Sequence, residues 1–169
     1  LGQLQRYLNA AEQLGVLPLI YTGLSSGLRQ CELITLSWAD FHVRCKYILK
    51  GQRLLILNDK TALLLEQIPE TASSYVFLNP KTGAQYKLHE FYYLHKKILK
   101  DAGLPHIRFH DLRHTFATLA LQNGVDVKTV SSMLGHYDAG FTLRTYTHAT
   151  RQKQDEAAQT MGSFMAQVM

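Results

Sequence analysis

Glycine and proline cut this chain into helix-length pieces, and that punctuation restricts its folding options more than any other feature. Apolar residues recur at helical spacing through Leu4, Leu8 and Ala11, and Gly15 with Pro18 ends the run. Leu17 to Leu24 is a second apolar stretch that runs into Ser25-Ser26-Gly27, after which Leu28, Leu33 and Leu36 predict a helix ending near Trp38. Leu88 to Ala102 stops at Gly103 and Pro105, residues 110–122 stop at Asn123-Gly124, and a helix capped by Asp126 reaches Leu134 before Gly135. Residues 59–68 and 151–167 carry the same period, the latter through Ala157, Met161, Phe164, Met165 and Val168. Strand patterns are short: 41–49 and 53–57 around Lys50-Gly51-Gln52, and Tyr75–Leu78 ahead of Asn79-Pro80. The expected fold class is mainly α with a small antiparallel β-sheet, an α+β arrangement.

A chain of 169 residues, 46% hydrophobic, can bury one substantial core, so a single domain over 1–169 is expected. No charged-then-apolar leader and no apolar run of about 18 residues occurs, which points to a soluble, cytoplasmic protein with no membrane partner. Leu1 stands where an initiator Met is usual, so a segment of a longer protein is expected. Cys31 and Cys45 lack CxxC spacing and read as free thiols. The formal net charge is +5, concentrated in residues 42–60 and 81–113, each netting +4; a polyanion partner fits this, as does a solvated surface.

His110 and Arg113 lie three apart at a helix start and so share a face. A guanidinium grips two non-bridging oxygens of a phosphate while an imidazole donates or accepts a proton. His110 and His114 also have the i, i+4 spacing of a zinc hydrolase, but that motif needs Glu where Asp111 stands, and Arg113 would set a permanent cation beside the metal.

The string Phe109-His110-Asp111-Leu112-Arg113-His114-Thr115 is followed by Leu134-Gly135-His136 and then by Tyr146 in Thr145-Tyr146-Thr147-His148. Upstream lie Ser26-Gly27-Leu28-Arg29-Gln30-Cys31-Glu32-Leu33 and Leu36-Ser37-Trp38-Ala39-Asp40. In this order and spacing the boxes resemble those of the tyrosine recombinases, including phage integrases and Xer proteins, across essentially the whole chain. The resemblance implies the DNA breaking-rejoining fold of their catalytic domain and site-specific integration or excision through a 3′-phosphotyrosine. It implies Tyr146 as nucleophile, with Arg29, His110, Arg113 and His136 around the scissile phosphate. A phosphotyrosine ester keeps the bond energy for resealing, and two arginines neutralise transition-state charge, so no metal and no cofactor is expected. The family's lysine on a β-hairpin, which protonates the leaving 5′-oxygen, corresponds best to Lys50 in Lys50-Gly51-Gln52-Arg53-Leu54; Lys46 is the second candidate and Lys60 a poor third.

The partner implied is double-stranded DNA, bound as a homotetramer, with a monomer or weak oligomer in its absence and a nucleoid-associated location. Lys46, Arg53, Lys87, Lys96, Lys97 and Arg108 are the candidate DNA contacts. Relatives carry amino-terminal core-binding or arm-binding domains, and none is expected within these residues. Two other readings stay open: a catalytically silent DNA-binding relative and a type IB topoisomerase. Trp38 is expected in the core, Asp111 as a cap or orienting group of the HxxR helix, and His42, His89, His95 and His106 match no motif. The helix after Tyr146 either packs on a neighbouring protomer, as in relatives, or docks on its own core.

Overall fold

The computed structural model describes residues 2–26, 28–42, 46–51, 53–134 and 151–168. They form α1 (Gly2–Gln13), α2 (Leu17–Ser25), α3 (Gln30–Ile34), a 3-10 turn (Trp38–Asp40), β1 (Phe41–His42), β2 (Tyr47–Lys50), β3 (Arg53–Ile56), α4 (Asp59–Glu66), α5 (Leu88–Asp101), α6 (Phe109–Gln122), α7 (Val127–Leu134) and α8 (Arg151–Val168). The architecture is mostly helical with one small antiparallel sheet ordered β1-β2-β3. Two compact units are distinguished, Leu1–Arg113 and His114–Met169. No helix among the described residues is long and apolar enough to cross a membrane.

The first unit is organised around α2. Pro18 in its first turn suits a helix start, and Leu19, Ile20, Thr22, Gly23 and Leu24 are all buried, as befits a helix covered on most sides by α1, α3 and α4. α1 and α5, which pack on each other, bury single stripes: Tyr7, Ala10 and Ala11 on α1; Phe91, His95, Ile98 and Leu99 on α5. Gly23 is where α2 meets the start of α6. A Cβ there would lie 2.8 Å from Leu33 Cδ2 and 3.0 Å from Phe109 Cζ, so only glycine lets the Phe109 ring in. That ring stands edge-on to Phe91 at 5.1 Å and to His95 at 5.6 Å.

His95, which matched no sequence motif, is a core residue 2% exposed. Its Nε2 lies 2.6 Å from the Ile107 carbonyl oxygen and its Nδ1 2.8 Å from Tyr7 Oη. A carbonyl only accepts, so Nε2 carries the proton and Nδ1 accepts from the Tyr7 hydroxyl, which is the neutral imidazole. Burial holds its pKa below the ordinary 6.5.

Four sequence expectations need correction. The helix predicted to reach Trp38 ends at Ile34, because Leu36 to Trp38 pair instead with residues 74–76: Val76 N–H donates to Leu36 O at 2.9 Å and Trp38 N–H to Ser74 O at 2.9 Å. Trp38 is half-buried, not core. The strand predicted over 41–49 is two strands that pair with each other, Phe41 opposite Ile48 and His42 opposite Tyr47, and Lys46 at φ +55° takes a left-handed conformation just before β2. Tyr75–Leu78 makes only isolated bridges, Ser37 to Tyr75 and Leu78 to Gln85, since each end finds a different one-residue partner. The hairpin turn stands as expected: Gly51 at φ +60° closes β2 onto β3, with Lys50 opposite Arg53.

In the second unit Ala117, Leu121 and Val130 bury one another, with Ala120 and Val127 against them. Asp126 Oδ1 accepts the Lys128 N–H at 2.8 Å and the Thr129 N–H at 3.2 Å, the expected cap of α7. On α8, Met161, Phe164, Met165 and Val168 of the predicted apolar stripe are exposed.

Two predictions follow from the packing. Gly23→Ala is expected to cost about 1–3 kcal/mol in urea unfolding, because Leu33 and Phe109 must both give way. The second concerns pH: below the ordinary imidazole value of 6.5 the unfolded chain takes up a proton that native His95 resists, so the buried histidine lowers stability as pH falls through that value. His95→Gln should flatten the unfolding midpoint between about pH 7 and 5. The depressed carboxyls of Asp40, Glu90 and Asp126 lose their contribution only lower, from about pH 4 downward.

Candidate active site

Arg113 is 7% exposed, and its Nη2 donates to the Ser26 carbonyl oxygen at 2.9 Å. Helical geometry explains its place: it lies one turn beyond the Phe109 anchor, so the packing that fixes Phe109 also fixes Arg113. Ser26 lies three residues before Arg29 in the sequence. Arg29 is the residue before α3, exposed, with its backbone N–H donating to Glu32 Oε1 at 3.1 Å. The Glu32 carboxylate thus caps the helix start. His110 follows Phe109 directly, in the first turn of α6, and is exposed.

Lys50 closes β2 and reaches back to the other end of α3: its Nζ donates to Thr35 O at 3.1 Å and to Asp40 Oδ2 at 3.2 Å. From Arg29 to Thr35 is about 9 Å along a helix axis, so two cationic residues flank one short helix. Asp40 also accepts the Ser37 N–H at 3.1 Å. Burial pushes its carboxyl up, but the Ser37 N–H and the Lys50 ammonium outweigh that and hold it below the usual range.

Sequence reasoning missed Ser26 O, Thr35 O and Asp40 as partners. Asp40 had a readable signal, standing three residues after Ser37 at a turn start, whereas backbone carbonyls carry none.

The remaining candidates divide clearly. Lys46 is committed to Asp59 at 2.6 Å, the carboxylate raising the lysine's pKa and being lowered in turn. Arg108 makes a two-point contact with Asp111, Nε to Oδ2 at 2.9 Å and Nη2 to Oδ1 at 3.2 Å, so Asp111 braces the residue before α6. Lys96 lies 5.5 Å above the Tyr92 ring, Lys97 is 3.7 Å from Asp101, and Lys87 and Lys60 are exposed at the starts of α5 and α4. Arg53 pairs with Lys50 through the backbone register. His136 and Tyr146, with His148, lie outside the described residues. Among the described residues no group of three or more His, Cys, Asp or Glu is placed to hold a metal ion. A cavity of about 500 Å³, lined among others by Leu14, Val16, Tyr86, Tyr93 and Leu94, includes none of Arg29, Lys50, His110 or Arg113.

The chain is similar to known proteins in both sequence and fold. The profile of the phage integrase family matches residues 3–153. Tyrosine recombinase XerD of Listeria innocua serovar 6a is 35% identical over 143 residues, covering 75% of this chain and 48% of the relative. The crystal structure of XerA recombinase superposes with a TM-score of 0.73 at 23% identity, over 92% of this chain and 62% of that one. XerH site-specific recombinase bound to its palindromic difH substrate, in a post-cleavage complex, gives 0.65 at 26% identity, over 92% and 50%. The chain spans about half the length of the curated relatives it matches.

Replacing Arg113 by Met keeps most of the side-chain volume but leaves the buried Ser26 carbonyl without this donor. A loss of about 1–3 kcal/mol in chemical unfolding is expected.

Proposed function

Because the chain belongs to the phage integrase family of tyrosine recombinases, we propose that it is the catalytic domain of a site-specific recombinase that cleaves and rejoins double-stranded DNA through Tyr146. The observation that supports this best is the Arg113–Ser26 contact, which holds one permanent cation on a carbonyl three residues before a second arginine, Arg29. A phosphodiester held between them meets fixed positive charge where its transition state gains negative charge.

The reaction proceeds by exchange. The Tyr146 phenol oxygen forms a bond to phosphorus, and the bond from phosphorus to the 5′-oxygen breaks. His110 assists removal of the phenol proton, Lys50 supplies a proton to the 5′-oxygen, and a free 5′-hydroxyl and a 3′-phosphotyrosine result. Arg29, Arg113 and His136 stabilise the non-bridging oxygens. A 5′-hydroxyl from a second strand reverses each bond change and releases the phenol. The chemistry gives every charge-stabilising role to side chains, and no metal is assigned one.

Further parts of the proposal are a homotetramer on DNA with a monomer or weak oligomer off it, an intracellular, nucleoid-associated site of action, and residues 1–169 as one catalytic domain served by DNA-binding domains elsewhere in the protein. Lys46, Arg53, Lys87, Lys96, Lys97 and Arg108 are the proposed backbone contacts. Relatives such as XerH, solved on its difH substrate, support the choice of DNA.

The test is covalent capture. The chain is incubated with nicked suicide duplexes of randomised sequence, adducts are isolated, and the modified peptide and the captured DNA are identified. Adducts on Tyr146 that form equally in excess chelator are expected. Tyr146→Phe should yield none while retaining DNA association, and Lys50→Ala should slow capture by roughly a hundredfold or more. Adducts persisting in Tyr146→Phe would end the assignment of the nucleophile.

A further inference from the structure

Lys50 does not reach into solvent from its hairpin. With the pair's side chains only 24% and 21% exposed, its ammonium rests on Asp40 Oδ2 at 3.2 Å and on the Thr35 carbonyl at 3.1 Å. Asp40 is itself immobilised, since the same Oδ2 accepts the Ser37 N–H that starts the 3-10 turn. The other lysine at this edge, Lys46, is held by a different carboxylate, Asp59, so the Asp40 pair has no duplicate there among the described residues. The result is an ammonium folded back onto the protein, with two of its three N–H donors engaged.

We propose that Asp40 is a latch, a positioning residue that keeps Lys50 in reserve on the protein surface until a phosphodiester draws the ammonium away. This rests on the reading of Lys50 as the general acid. During leaving-group protonation the N–H bond of Lys50 breaks, an O–H bond to the 5′-oxygen forms, and the lysine is left as a neutral amine. A carboxylate attracts the ammonium and has no such hold on the amine. The Asp40 contact therefore stabilises the state before reaction more than the transition state, and such a contact slows the step it precedes. Bound DNA offers replacement acceptors in its anionic oxygens, so release of the latch is coupled to arrival of substrate.

The variant to use is Asp40→Asn, which keeps an oxygen for the Ser37 N–H while removing the charge that holds Lys50. An unchanged unfolding midpoint checks that the turn survives. In the free protein, acetic anhydride labels Lys50, with Lys100 in the same chain as the reference. The Lys50 to Lys100 ratio should rise about fivefold in Asp40→Asn, the worth of a partly exposed ion pair. A ratio that does not move overturns the latch, whatever the reaction.

The second arm uses a duplex recovered by covalent capture, made with either oxygen or sulfur at the 5′ leaving position. A thiolate departs without protonation, so only the oxygen duplex reports on the lysine. Asp40→Asn is expected to cleave the oxygen duplex about fivefold faster and the sulfur duplex at the wild-type rate. A slower oxygen rate, or an equal change on both duplexes, overturns the proposal. Lys50→Ala should recover on the sulfur duplex. If it stays equally slow on both, the general-acid role of Lys50 falls and the latch falls with it, even where labelling responds.

Discussion

Arg113 is a cation with no neutral form at accessible pH, and it is buried; such a group is tolerated only where acceptors meet it. The Ser26 carbonyl is one, at 2.9 Å, and it ties the second turn of α6 to the end of α2. Much of the architecture serves that junction. Gly23 lacks the Cβ that would exclude Phe109, Phe91 and His95 receive the Phe109 ring, and the His95 imidazole holds the Ile107 carbonyl of the approaching loop. Packing thus holds Arg113 and Phe109 in place, while Arg29 and His110 are exposed residues.

The sequence was most readable where a pattern is local. Helical spacing with Gly and Pro stops located α1, α5, α6 and α7 to within a residue or two, and the hairpin turn at Gly51 announced itself through a glycine between two apolar runs. It was least readable where partners are distant. Nothing between Leu36 and Trp38 says that these residues will pair with 74–76, and that long-range bridge is what stops α3 at Ile34. Lys46 is similar, since a left-handed lysine leaves no compositional mark.

The candidate site divides along the same line. Residue types and spacing pointed to His110 and Arg113 as a candidate phosphate-binding pair, the resemblance to tyrosine recombinases added Arg29, and the structure sets the Arg113 guanidinium on the Ser26 carbonyl, three residues before Arg29 in sequence. The partners that orient these groups are mostly backbone carbonyls, Ser26 and Thr35, which every residue possesses and no sequence pattern distinguishes. His95 was passed over as matching no motif, yet it braces the loop before α6; a histidine flanked by apolar residues at helical spacing was the available sign. The Lys50 candidate also gains content from the structure, since its location at the hairpin was visible and its engagement with Asp40 was not.

The pairing of Arg108 with Asp111, like that of Lys46 with Asp59, bears on how such a surface would meet a polyelectrolyte. A cation that arrives already matched by its own carboxylate neutralises little of a duplex unless that carboxylate swings aside, and it displaces correspondingly few condensed counterions. Association with a nucleic acid through these side chains would then weaken with added salt less steeply than a tally of lysines and arginines implies.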